Sequence, residues 1–302
     1  MSYELFLSQM KRILSQRLGS GYRLSVRQIQ KNNGLILEGL SIQKEDAAVA
    51  PTIYLDPFYQ LHLKGLSPEQ AADRILQLYE ASLPDPAIDP ARLADPAFVL
   101  PRLALRLINA ASNASLLPFL PYRPLLDLAA VCFLLLSREP EGHTTLLVTR
   151  QHMEIWGLSQ DELFSAALSN TPRLLPACLC PVSQALGFGS GPGLPSPKAP
   201  SPLYVLSNTD SLNGAAALLY PGILRSFAGQ HKSDLVILPS SIHEVLLLPR
   251  TEEVDPAALG GLVTEINRTQ VAPEDRLSNQ VYLYSRAADQ TTVYPGPLTP
   301  LT

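Results

Sequence analysis

Tyr22-Arg23-Leu24-Ser25-Val26-Arg27-Gln28-Ile29-Gln30, then Lys31-Asn32-Asn33-Gly34, then Leu35-Ile36-Leu37-Glu38-Gly39-Leu40-Ser41-Ile42 is the stretch that sets the fold class. Tyr22, Leu24 and Val26 alternate with Arg23, Ser25 and Arg27, the period of a half-buried strand. Asn33-Gly34 is the dipeptide a type I′ turn demands, because both central residues need positive φ. The stretch predicts a β-hairpin. A helix is predicted after it at Ser67-Pro68-Glu69-Gln70: serine caps, proline fits the first helical position and Gln70 completes a capping box. Its inner face is Ala71, Ala72, Ile75, Leu78 and Tyr79.

The same order returns twice. Residues 128–136 read as a buried strand and 144–149 as its partner. Gly157-Leu158-Ser159-Gln160-Asp161-Glu162 then repeats the pattern of Gly65-Leu66-Ser67-Pro68-Glu69-Gln70, opening a helix with Leu163, Phe164, Ala167 and Leu168 inward. Residues 234–238 and 244–248 form the third strand pair, and Asp255-Pro256 starts a helix facing inward with Leu259, Leu262, Val263 and Ile266. These units lie too far apart for a solenoid, whose repeats run about 20–50 residues. The expected fold is α+β: repeated strand–strand–helix units forming antiparallel or mixed sheets, pseudo-symmetric, with helices packed on them.

Outward from these units, Leu5, Phe6, Met10, Ile13, Leu14 and Leu18 recur at helical spacing at the N-terminus, without the apolar core of a signal peptide. A further helix is expected over residues 98–113, with Leu100, Leu103, Leu107 and Ala110 on one stripe. Residues 203–206 read as a strand and 215–228 as mostly helical, so the last third runs β-α-β-β-α-β, the ferredoxin-like order, ending on a strand at 281–284. The expected divisions are an N-terminal α/β lobe at 1–95 and a middle segment at 96–186 holding a helix plus a strand–strand–helix unit. A flexible linker or insertion at 187–202, a C-terminal unit at 203–286 and a disordered tail at 287–302 complete them.

Of the 302 residues, 46% are hydrophobic and 17% charged, ample for a core and inconsistent with a disordered chain. The net charge is −4 and Lys11-Arg12 is the one adjacent basic pair, so no nucleic-acid footprint is present. The apolar segment 125–136 contains Asp127 and is shorter than the ~20 residues of a membrane span. It is expected to be a buried strand, with the Asp127 carboxylate on a backbone N–H or on Arg123. Cys132, Cys178 and Cys180 are too few for a disulfide framework and read as buried apolar side chains in a reducing cytosol.

Four segments could carry chemistry. Gly187-Phe188-Gly189-Ser190-Gly191-Pro192-Gly193 places proline where a phosphate-binding loop needs a third glycine. His152-Met153-Glu154 with Pro176-Ala177-Cys178-Leu179-Cys180 is similar to a zinc deaminase signature, but one residue rather than two separates the cysteines. No cofactor and no metal are therefore expected. Ser240-Ser241-Ile242-His243-Glu244 holds the residue types of an acyl-transfer site, so Ser240, Ser241 and His243 are the catalytic candidates. On a strand, however, Ser241 and His243 share a face and Glu244 points away, leaving the histidine without an orienting acid. Asn170, Arg173 and Asn267 sit at helix C-termini, where such side chains cap carbonyls or line a shared polar cleft; they are the binding candidates.

Lys31-Asn32-Asn33-Gly34, Pro51-Thr52-Ile53-Tyr54-Leu55, Leu126-Asp127-Leu128, Asn170-Thr171-Pro172-Arg173-Leu174-Leu175-Pro176, Leu219-Tyr220-Pro221-Gly222 and Leu238-Pro239-Ser240-Ser241-Ile242-His243-Glu244-Val245 occur in that order. Together they resemble the bacterial domain of unknown function 5688 family, over the chain from the first helix to about Arg286. Pro121-Tyr122-Arg123 stands where the family pattern has Pro-His-Arg, and the glycine–proline run from Gly187 is absent from that pattern. The layout of the last third is also similar to the ytpQ-like proteins. The resemblance implies lineage rather than mechanism. The functional expectation is a non-catalytic cytosolic binding or adaptor protein. Its partner is unspecified, with another protein the class an adaptor implies and neither nucleic acid nor membrane expected. The alternative is a hydrolase or transferase using the serine–histidine segment.

Overall fold

The computed structural model describes residues 1–45, 50–83, 90–139, 142–185, 203–252 and 254–294. Contacts divide the chain into Met1–Leu93 and Ala94–Thr302. The first unit opens with helix α1 (Tyr3–Leu18), capped by Ser2, whose hydroxyl accepts from the Leu5 N–H. Phe6, Met10, Ile13 and Leu14 are buried as expected, while Leu5 is exposed. Strands β1 (Tyr22–Gln30) and β2 (Ile36–Lys44) pair antiparallel from Tyr22↔Lys44 to Gln30↔Ile36. Asn33 and Gly34 both have positive φ, 59° and 71°, as the turn requires. Strand β3 (Thr52–Tyr54) adds to β2. Helices α2 (Asp56–Leu63) and α3 (Pro68–Ala81) follow, α3 with both halves of the Ser67/Gln70 capping box in place. One core joins α1 to β2, β3 and α3 through residues such as Phe6, Met10, Leu40, Ile53 and Ile75.

The second unit departs from expectation at once. In place of a helix over 98–113, a short helix α4 (Pro96–Val99) and a 3-10 turn (Leu100–Arg102) lead into strand β4 (Leu103–Asn109). Leucines at 100, 103 and 107 fit a helical stripe, but a continuous apolar run fits a doubly buried strand equally well. Seven antiparallel pairs with β6, Leu103↔Leu134 to Asn109↔Leu128, settle the choice. Strands β5 (Tyr122–Leu125), β6 (Leu128–Glu139) and β7 (Gly142–Leu147) complete a four-stranded sheet in which β6 is central. Helix α5 (Arg150–Trp156) and α6 (Gln160–Leu174) come next, α6 with the expected Ser159/Glu162 capping box. Pro172 lies inside α6, and residues 170–173 fall near its C-terminal end, as expected.

Strand β8 (Ala177–Pro181), helix α7 (Val182–Ala185), strand β9 (Tyr204–Asn208), a 3-10 turn (Gly214–Leu219) and helix α8 (Ile223–His231) lead to the hairpin β10 (Leu235–Leu238) and β11 (Val245–Pro249). Helix α9 (Pro256–Thr269) carries the expected Asp255 cap, and β12 (Tyr282–Ser285) follows. Strand β13 (Gln290–Val293) pairs with β12, which corrects the expected disorder from residue 287: four residues of that tail are edge strand. The glycine–proline segment 187–202 and residues 295–302 lie outside the described residues.

These strands form a six-stranded sheet ordered β13-β12-β10-β11-β9-β8. Neighbours are antiparallel, so β9 and β10 run parallel with β11 between them, and β11 and β12 run parallel with β10 between them. Both β-α-β crossovers are thus split around a central hairpin, with an added strand at each edge; the ferredoxin-like arrangement, which puts the first and third strands of the unit at the centre, does not form, because β10 and β11 occupy the centre. The three hairpins fall into three separate sheets, and every pairing among the described residues is antiparallel. The fold is α+β. No described helix is long and apolar enough to cross a membrane.

Candidate functional site

In the second unit, loops that follow β9, β10 and α9 bring the catalytic candidates to one place. Ser240 and Ser241 are buried. They lie beyond the end of β10 rather than on a strand, and the Ser240 carbonyl accepts from the Leu277 N–H at 3.0 Å. The Ser241 hydroxyl accepts from the His243 backbone N–H at 3.0 Å, a local turn bond. His243 does have an acid: its Nε2 lies 3.3 Å from Asp275, which arrives on the 3-10 turn (Pro273–Asp275) after α9. Nδ1 lies 3.0 Å from the Ser211 carbonyl. Both neighbours are acceptors, so both ring nitrogens carry protons when both bonds form. The Asp275 hydrogen bond accordingly raises the His243 pKa, against the opposing effect of burial. Asp275 also faces Arg106 of β4, whose buried Nε has no hydrogen-bond partner among the described residues. Burial lowers the Arg106 pKa and the Asp275 charge opposes that shift.

The segment that presents Ser211 is the part of the site that inspection of the sequence passed over. Asn208-Thr209-Asp210-Ser211-Leu212-Asn213-Gly214 wraps around the Asn208 side chain, whose Oδ1 accepts from the Asp210 and Leu212 N–H groups and whose Nδ2 donates to the Leu212 carbonyl. Ser211 and Asn213 hold φ of 52° and 51°, conformations that cost energy outside glycine. Gly214 is required by space: a Cβ there would run into the Ser207 hydroxyl and the His243 carbonyl, themselves bonded at 2.7 Å. Asp210 reaches the other way, to His143 at 3.1 Å and Arg138 at 3.5 Å. Burial opposes its ionisation, but the Thr209 hydroxyl, His143 and Arg138 hold its carboxyl below the usual range. The sequence signal was the density of Asn, Asp and Asn-Gly between a strand and a helix.

The binding candidates divide. Asn170 donates to the Leu100 carbonyl at 2.7 Å and Arg173 to the Pro101 carbonyl at 3.0 Å, so together they hold the turn before β4. Asn267 instead donates to the Ser278 carbonyl at 2.8 Å and to Asn279 Oδ1 at 2.7 Å. Among the described residues, these hydrogen bonds of the two helix ends share no partner. Asp127 accepts from the hydroxyls of Tyr282 and Ser278 rather than from Arg123, which pairs with Asp161 at 2.6 Å. Burial and the Asp127 charge push the Tyr282 pKa well up.

His152 completes the capping box of α5 with Thr149 and stacks on Trp156. Cys132 is buried and burial pushes its thiol up, whereas Cys178 is exposed, against expectation. Among the described residues, no group of three or more His, Cys, Asp and Glu could hold a metal ion.

Fold and site define an α+β protein of three antiparallel sheets whose loops gather a His–Asp–Arg cluster and a strained asparagine-rich turn. Residues 3–286 match the family of unknown function DUF5688, and the chain belongs to that family. No curated protein and no solved structure matches it.

Proposed function

We propose that this protein is a non-catalytic binding or adaptor protein of the bacterial cytosol. The observation that carries the reading is the placement of His243. With Ser211 and Asp275 both accepting from its ring, no lone pair remains to take a proton from Ser240 or Ser241. The serine hydroxyls are buried, and that of Ser241 is bound to backbone in the same turn. Such a cluster locks loops from separate elements into one shape, which suits a binding surface. The free cysteines favour a reducing compartment.

The test is a pair of assays on wild type, His243→Ala and Ser241→Ala: thermal melting, and turnover of ester and phosphoester model substrates. The expected result is no turnover by any of the three and a stability loss of about 1–3 kcal/mol in each variant. Wild-type turnover that disappears in His243→Ala at an unchanged melting temperature would promote the hydrolase or transferase reading.

A further inference from the structure

Arg102, Arg138 and Arg173 line one cleft of about 330 Å³ together with Leu135, Leu136 and Leu174. They come from three elements: the turn before β4, the far end of β6 and the last turn of α6. A register shift between Leu135 and Ser137 bulges β6 at this place, the kind of irregularity that re-aims side chains beside sites. Each guanidinium is oriented by the protein. Arg102 donates to the Phe98 carbonyl and lies over the Phe98 ring, Arg173 donates to the Pro101 carbonyl and Asn170, and Arg138 faces Asp210. A guanidinium carries five N–H donors, and these contacts account for only one or two on each.

Charge identifies the ligand. Among the described residues the lining contains no carboxylate, and the nearby Asp210 offsets Arg138 rather than Arg102 or Arg173. Among the described residues no acid pairs with Arg102 or Arg173, so two positive charges face one cleft in a chain of net charge −4. By contrast, the cleft lined by Lys232, Arg250 and Arg286 has Asp234 and Glu252 among its own walls. A phosphate monoester carries a charge of about −1.5 to −2 at neutral pH and offers three acceptor oxygens to guanidinium forks. The leucines would cover a short apolar body attached to it.

We infer that the cleft between Arg102, Arg138 and Arg173 binds a phosphate monoester carried on a short apolar group. This names a ligand class for the binding reading above and rests on it.

Isothermal titration of the full chain with hexyl phosphate, inorganic phosphate and hexanoate at low salt tests the inference. Hexyl phosphate should bind more tightly than inorganic phosphate, which lacks the apolar body, and than hexanoate, which lacks the second charge. Arg173→Gln and Arg102→Gln should each weaken hexyl phosphate about tenfold or more. Arg268→Gln, which removes the same charge beside Glu265 on α9, should not. Should a glutamine variant unfold on melting, Arg173→Lys keeps the charge, and a loss smaller than that of Arg102→Gln supports the same conclusion. Absence of binding at millimolar hexyl phosphate, hexanoate binding as tightly, or unchanged affinity in the folded arginine variants would overturn it. Ester turnover through His243 would sink the binding reading while leaving these titrations untouched, so the two failures are distinguishable.

Discussion

The His243 ring lies between the Ser211 carbonyl at 3.0 Å and the Asp275 carboxylate at 3.3 Å, and that pairing links loop geometry to pH. Its folded-state pKa is raised, chiefly by the Asp275 hydrogen bond. A raised histidine contributes stability that is complete below its unfolded value of about 6.5 and is lost as pH rises through the folded value. The melting-temperature gap between wild type and His243→Gln is therefore expected to be wider at about pH 6 than at about pH 8.5. A gap of equal size at both would show that the ring is not held as a cation. The residue type was legible beforehand in Ser240-Ser241-Ile242-His243-Glu244, but the partner was not. Glu244 was the only acid near in sequence, whereas Asp275 is brought to the ring by the turn after α9.

One hydroxyl ties helix α6 to the backbone of β4. Thr171 is buried; its hydroxyl donates to the Ala167 carbonyl and accepts from the Leu105 N–H at 3.0 Å. Strand β4 is an edge of its sheet, so that N–H would otherwise be an unpaired edge donor. Pro172 follows immediately and has no N–H of its own to give to the helix. Thr171→Val keeps the shape and removes the acceptor, and is expected to cost about 1–3 kcal/mol. Urea denaturation checks it: the midpoint should fall at an unchanged slope, and a wild-type midpoint would mean the bond is dispensable. This contact also explains why periodicity misjudged β4. Arg106 is the single incompletely buried position in a seven-residue strand, so no alternation marks the strand as one.

The first unit, Met1–Leu93, closes its core with its own elements, α1 and α3 against the β1–β2–β3 sheet. A fragment of residues 1–93 is expected to unfold cooperatively when followed by circular dichroism. Met10→Ala in that fragment, emptying a fully buried site, should cost about 2–5 kcal/mol. A fragment with helical signal but no cooperative transition would show that the core needs the rest of the chain. The second unit buries polar side chains within its core as well: Asn109, Asn113, Asn267, Ser278 and Asn279. Asn109 illustrates the linkage, reaching from the end of β4 to the Leu277 carbonyl at 3.0 Å.

By itself the sequence determined the features whose partners lie within a few residues. The Asn33-Gly34 turn, the Ser67/Gln70 and Ser159/Glu162 capping boxes and the Asp255 cap form as read, because each is satisfied by backbone next to it. Tertiary structure alone decided what depends on distant partners. The strand identity of β4 came from pairing with β6, the anchoring of β13 from β12, and the division of three hairpins among separate sheets from which edges met. The charged site belongs to the second class. Arg106, Asp210, His243 and Asp275 stand on four different segments, and a Coulombic or hydrogen-bonded pairing acts over distance in space, which carries no period along the chain.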